Sequence, residues 1–285
     1  MQNFNRFLVL FVPLLLAGIL AACTTSPTGR SQLMMISEES AISQSAQAYA
    51  QTMNEYAKKG QLSKDQALID RVNEITGRLI YEALIMRPDT RSWKWSMKVI
   101  DDPETVNAWS MAGGRMALYT GLVEKIKPTD DELAQVISHE IAHALAKHTA
   151  EKMSVAMASS LGVLAVAVAT DNRNIATGAS AAALVAVTLP NSRTAESEAD
   201  EIGIELAARA GYNPHAAVTL WQKMSKESGS SSFDFLSTHP SSGKRIERLD
   251  ALVPSVMSYY EEQKPHPVYP LRIAVSQVLP CCIVF

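Results

Sequence analysis

Within the 285 residues, the segment best suited to chemistry is His139-Glu140-Ile141-Ala142-His143. Helix positions four apart project from one face one turn apart, so the two imidazoles can reach one tetrahedral metal ion. Glu140 sits beside the first of them, offset from their line. A carboxylate there can take a proton from a zinc-bound water and pass it to a leaving amine. Such a site needs a third protein ligand while one position stays open for water, and a carboxylate can supply it. Glu196 and Asp200 stand one helical turn apart later in the chain. One could bind the metal while the other holds a ligand histidine by its second ring nitrogen. Glu198, Glu201 and Glu205 lie close by, so spacing alone leaves the choice open, and a solvated acidic face is the alternative.

These residues need elements to position them. Pro128-Thr129 begins a helix, with Thr129 and Glu132 as a capping box and Leu133, Val136, Ile137, Ile141 and Leu145 as its apolar positions. Two extended runs are predicted before it. Trp95 to Ile100 is closed by the turn at Asp101-Asp102-Pro103, and Arg115 to Tyr119 follows the Gly113-Gly114 pair. Earlier helices are predicted from Glu38 to Lys59 and from Ser63 onward, the second with Gln66 as capping-box partner. Between Ser154 and Leu189, two alanine-rich apolar runs separated by Asp171-Asn172-Arg173-Asn174 read as a helical hairpin, each short for a membrane span. A helix over Thr194 to Ala210, with Gly211 as its cap, carries the carboxylates, and Asn213-Pro214 begins the next. Residues 264–285 show no period that continues the domain and receive no function.

A chain that is 47% hydrophobic and 19% charged, with net charge -3, describes one sizeable folded domain with a leader and a tail. No basic stripe is present, which argues against a nucleic-acid partner. Arg6 precedes an almost wholly apolar run from Phe7 to Leu20, and Leu20-Ala21-Ala22-Cys23 resembles the lipobox of bacterial lipoproteins. Residues 1–22 are then a lipoprotein signal peptide, Cys23 the lipidated residue and residues 23–37 a tether. Thr24 after the cysteine points to the outer membrane. Cys281 and Cys282 are adjacent, a poor geometry for a mutual bridge, so no disulfide framework is expected.

His139-Glu140-x-x-His143 followed by Ser192-Arg193-x-x-Glu196-x-Glu198-Ala199-Asp200 and Gly203 resembles the M48 metallopeptidases, from about Glu38 to Val253. The resemblance implies a mainly helical α+β fold, a zincin-like metallopeptidase domain over residues 38–263 with a small β-sheet. It implies one zinc ion per chain, held by His139, His143 and Glu196, with Asp200 behind a ligand histidine. Asn107-Ala108 through Gly113-Gly114 to Thr120-Gly121-Leu122 is similar to the family's N-A-x-x-x-P-G-G segment, with Ala112 in place of the usual proline. The strand after it is an edge that accepts substrate in that family. Asn107, Gly113, Gly114, Arg115, Met116 and Ala117 are therefore the implied substrate contacts. Thr238-His239-Pro240-Ser241, leading to Arg245, resembles the late H-P motif. That likeness implies His239 near the metal and Arg245 as a stabiliser of the oxyanion. His148 and His215 match no motif ligand, and His266 lies in the unassigned tail.

The function so implied is a zinc-dependent endopeptidase that hydrolyses misfolded or unassembled cell-envelope proteins, lipid-anchored on the periplasmic face of the outer membrane. Its partners are unfolded polypeptides, the membrane through the N-terminal lipid, and envelope assembly proteins as further candidates. The alternative is a chaperone-like lipoprotein that holds clients with little turnover. Small residues at Ser228 to Ser232 and Ser241 to Gly243 flank His239, which suggests a loop able to place that imidazole on the fourth zinc position at rest.

Overall fold

The computed structural model describes residues 23–170, 193–227, 235, 239 and 244–271. It begins with a two-stranded antiparallel hairpin, β1 (Cys23–Thr25) and β2 (Ser31–Leu33), in register Cys23 with Leu33. Helix α1 (Glu38–Lys58) follows, its first turn closed by Ser37, whose hydroxyl accepts from the Ser40 amide. Helix α2 runs Gln66–Met86 and is capped by Asp65, which accepts from the Leu68 amide. The expected start at Ser63 is corrected: the Ser63 amide donates to the Val99 carbonyl, next to an isolated bridge between Leu62 and Ile100. Leu62 and Ser63 run along the sheet, and the side chain that caps the helix is that of Asp65.

A 3₁₀ turn (Pro88–Ser92) leads into the main sheet of β3 (Ser96–Ile100), β4 (Ala108–Met111) and β5 (Arg115–Tyr119). The strand order is β3-β5-β4, with β3 parallel and β4 antiparallel to β5. This corrects the expected substrate strand. Arg115, Met116 and Ala117 lie on the central strand, hydrogen-bonded on both sides, with Met116 and Ala117 buried. One edge of the sheet is β4. Tyr119 donates to the Asn107 carbonyl, so Trp109 and Met111 turn their backbone groups toward β5 and Ala108 and Ser110 turn theirs outward. Asn107 uses its side chain to accept from the Ala108 amide at 2.9 Å. Gly113 and Gly114, at φ of 82° and 74°, make the tight β4–β5 turn, a backbone region that favours glycine.

After α3 (Thr120–Ile126), helix α4 (Asp130–Leu145) carries the predicted capping box, the Thr129 hydroxyl on the Glu132 amide and the Glu132 carboxylate on the Thr129 amide. Every α4 residue from Glu132 to Leu145 is buried, so α4 is the central pillar of the domain and not a surface helix. Leu133, Ile137 and Ile141 join one core with Val72, Ile75 and Leu79 of α2 and Met116 and Leu118 of β5. Each such side chain contributes about 1.5–3 kcal/mol by its burial. Helix α5 (His148–Thr170) follows after two residues, and the second half of the expected hairpin lies outside the described residues. No described helix is long and apolar enough to cross a membrane. Residues 193–209 form α6, then α7 (His215–Glu227) and α8 (Arg245–Glu261) pack against each other.

The flank expected as a tether is packed on the domain, and so are residues 264–271 at the other end. Over the residues expected as a tether, the β1–β2 hairpin is fastened by Arg30, which donates to Glu151 and Glu198, and by Gln32, which donates to the Ala146 carbonyl. At the other end, the Tyr269 amide donates to the Gly77 carbonyl on α2. Residues 262–271 form neither helix nor strand, in keeping with the lack of a period in that stretch.

Candidate metal centre

Helix α4 places His139 Nε2 and His143 Nε2 3.1 Å apart, one turn from each other as the spacing requires. Helix α6 brings in the third group: Glu196 Oε2 lies 3.2 Å from His139 Nε2, and Oε1 lies 3.3 Å from His143 Nε2. His239 Nδ1 lies 3.3 Å from His139 Nε2 and 3.2 Å from Glu196 Oε2. A tetrahedron with metal–nitrogen bonds of about 2.0–2.1 Å has edges of roughly 3.3–3.4 Å. These four buried residues therefore mark out a zinc-sized polyhedron, with one ligand atom from each lying within 4.8 Å of the others. Unprotonated imidazole nitrogens turned toward one another repel unless a cation or a proton sits between them, so the donor set itself fits the ion.

The two ligand helices approach closely at Gly203 of α6, where a Cβ would come within 3.1 Å of the His139 Cα. Asp200 accepts from His139 Nδ1 at 3.1 Å, which fixes the tautomer that leaves Nε2 for the metal. Behind it, Arg245 Nη2 donates to Asp200 Oδ1 at 2.6 Å, and Arg248 donates to Oδ2. Arg245 Nη1 donates to Glu196 Oε2 at 3.3 Å, and the guanidinium lies 3.7 Å from the Trp221 ring centre. Arg245 thus holds the metal-binding and supporting carboxylates, a use that the late-motif likeness did not indicate. Burial opposes charge on His139, and hydrogen bonds to Asp200 and Glu196 overcome it, pushing its pKa up to about 9. Burial would raise the Glu196 carboxyl, but three imidazoles hold it far below the usual range, whereas burial drives His143 down.

Glu140 is buried beside this cluster, with Oε1 3.2 Å from His239 Nε2 but misaligned, so that the oxygen makes no hydrogen bond. Its backbone carbonyl accepts from Ser110 Oγ at 2.7 Å, which ties β4 to the turn of α4 that carries the two histidines. Phe235 stacks on His239, ring centres 4.5 Å apart, and its carbonyl accepts from the His239 amide. The flanking Ser228 to Ser232 and Ser241 to Gly243 lie outside the described residues.

Sequence reasoning missed His148 and the part played by Glu198. His148 is buried, with Nδ1 2.8 Å from His143 Nδ1 and Nε2 3.2 Å from Glu198 Oε2. Five residues on in a continuous helix, it would point away from His143. The chain instead breaks at Ala146-Lys147, with Lys147 left-handed at φ 59°, and swings His148 back. Neither residue at that break is a glycine, asparagine or proline, so no turn signal was present.

The model of peptidase family M48 matches residues 66–253, and the chain belongs to that family of zinc metallopeptidases. It is 36% identical over 190 residues to the mitochondrial metalloendopeptidase OMA1 of Schizosaccharomyces pombe, covering 65% of this chain and 55% of that one. It is 33% identical over 249 residues to the human mitochondrial metalloendopeptidase OMA1, covering 82% of this chain and 46% of that one. It is 27% identical over 219 residues to the β-barrel assembly-enhancing protease of Escherichia coli, covering 70% of this chain and 43% of that one. The chain spans about half the length of the curated relatives it matches. These relatives correct the expected lipid-anchored place at the outer membrane: those at 33–36% identity are mitochondrial by name, and the bacterial one is more distant. A short apolar leader ending in Cys23 matches a composition, and composition does not settle which membrane system reads it.

Proposed function

On that membership, we propose that the chain is an endopeptidase that cuts extended segments of unfolded or unassembled polypeptides. The observation that carries this reading is the buried set His139, His143 and Glu196 with Glu140 alongside, next to a sheet edge that can take a strand. Substrate adds to the outward edge of β4, where the Ala108 carbonyl and the backbone of Ser110 pair with it largely regardless of side chains. Zinc, when bound by His139, His143 and Glu196, polarises the scissile carbonyl and makes water nucleophilic at neutral pH. Glu140 takes the water proton and returns it to the leaving amine. Asp200, held by Arg245 and Arg248, keeps His139 oriented throughout. His239 would supply a fourth donor atom at rest, its Nδ1, and would give way when substrate arrives. Relatives named for mitochondrial endopeptidase action and for β-barrel assembly support a substrate that has not completed assembly.

The test is digestion of reduced casein by the purified chain, with and without a zinc chelator, beside Glu140→Gln. Chelator-sensitive fragments from the wild type and a loss of about 10²–10⁴-fold in the variant, with zinc retained, are expected. Intact casein with suppressed aggregation would instead identify a holding protein. Faster cleavage by His239→Ala supports the resting role, and slower cleavage removes it.

A further inference from the structure

His139 and His143 are both zinc ligands, yet only His139 is oriented by a carboxylate directly. A ligand imidazole must give its second N–H to an acceptor if its ring is to stay aimed at the metal. For His143, with Nε2 on the ligand side, the acceptor at Nδ1 is another imidazole, His148 Nδ1 at 2.8 Å. The tautomers then follow from valence. His143 carries its proton on Nδ1 and donates, so His148 accepts at Nδ1 and must carry its own proton on Nε2. That N–H is directed to Glu198 Oε2 at 3.2 Å. The row is polar in one sense only, and it ends on a carboxylate that is 4% exposed and cannot be left unpaired.

The partners that satisfy Glu198 come from the N-terminal hairpin. Arg30 Nε donates to Oε2 at 2.7 Å, and Thr28 Oγ1 donates to Oε1 at 2.7 Å. The two terminal nitrogens of Arg30 grip Glu151 of α5, each at 2.7 Å. Gln32 donates to Glu151 and to the Ala146 carbonyl in the turn that aims His148. All of the hairpin lies before residue 66, where the match to the peptidase family begins. We propose that His148 is a positioning residue for the zinc ligand His143, and that the N-terminal hairpin, acting through Arg30 and Glu198, sets His148 and so controls how firmly the metal is held. The inference rests on His143 being a ligand, which His143→Ala tests separately by loss of zinc.

The experiment measures zinc dissociation constants of the full chain by competition with a chromophoric chelator, and records the absorption spectrum of the cobalt(II)-substituted protein. His148→Ala and Arg30→Ala are each expected to weaken zinc binding by about 10- to 100-fold and to perturb the cobalt spectrum. Asparagine places an acceptor oxygen where His148 Nδ1 stands but does not reach Glu198. His148→Asn should therefore recover most of the affinity lost in His148→Ala, and adding Arg30→Ala to it should cost no more zinc affinity. A purely structural effect of Arg30 would instead add in full in the His148→Asn background. Wild-type zinc affinity in both Arg30→Ala and His148→Asn/Arg30→Ala, or full additivity between the two changes, overturns the proposal. The Asn pair carries this test even where His148→Ala does not fold. If wild-type affinity survives His143→Ala, the ligand reading itself fails, and that result is distinct from either outcome above.

Discussion

The two histidines of one helical turn are supported in opposite ways. On the His139 side, Asp200 touches the imidazole and is clamped by Arg245 and Arg248, all within the residues matched by the family model. On the His143 side, contact is made through a neutral imidazole, and the charged groups stand further out, with Arg30 among them on a hairpin outside the matched region. A direct carboxylate is part of the peptidase domain itself, whereas a relay can be strengthened or loosened by a segment added to that domain.

The largest expected effect tests which carboxylate belongs to which side. Glu196→Ala should abolish stoichiometric zinc by elemental analysis, while Glu198→Ala keeps zinc at saturating metal with weakened affinity. The reverse pattern would exchange the two roles. Next, Asp200→Ala leaves Arg245 and Arg248 without their buried partner, so unfolding free energy should fall by about 3–5 kcal/mol in denaturant titration. A change below about 1 kcal/mol would mean that the His139 support is no stronger than an exposed ion pair. Gly203→Ala forces a methyl group against the His139 backbone and is expected to cost about 1–3 kcal/mol. It should lower zinc affinity on the His139 side without restoring or removing the dependence on Arg30. The smallest effect is Thr129→Ala, which opens the capping box of α4 for about 1 kcal/mol. Melting should shift while zinc affinity and the cobalt spectrum stay fixed, since both supports lie beyond the first turn.

What was legible in the sequence was local. The i, i+4 histidines, the Thr129–Glu132 box and the Arg115 to Tyr119 strand each declare themselves within a few residues, and each stands where it was expected. The resemblance selected Glu196 over its neighbours, a choice that spacing left open and that the geometry makes clear. The edge of the sheet was misread because strand order is a long-range property. β4 is four residues long and shows no alternation to announce it. The tether was misread for the same reason: residues 23–37 are short and polar, and the partners that fix Arg30 lie 121 and 168 residues away. His148 went unassigned because its turn depends on a left-handed lysine, a conformation its sequence does not advertise.

Gly203 carries a further consequence. Most helix crossings are cushioned by side chains, which set the spacing and yield when pushed. Here the crossing between α4 and α6 has no cushion at His139, and Glu196 stands about two turns from that point on the same helix. The bite between the first and third ligands is thus ruled by main chain against main chain. Such a frame is stiff: a side chain at position 203 can be admitted only by parting the two helices that carry the first and third ligands.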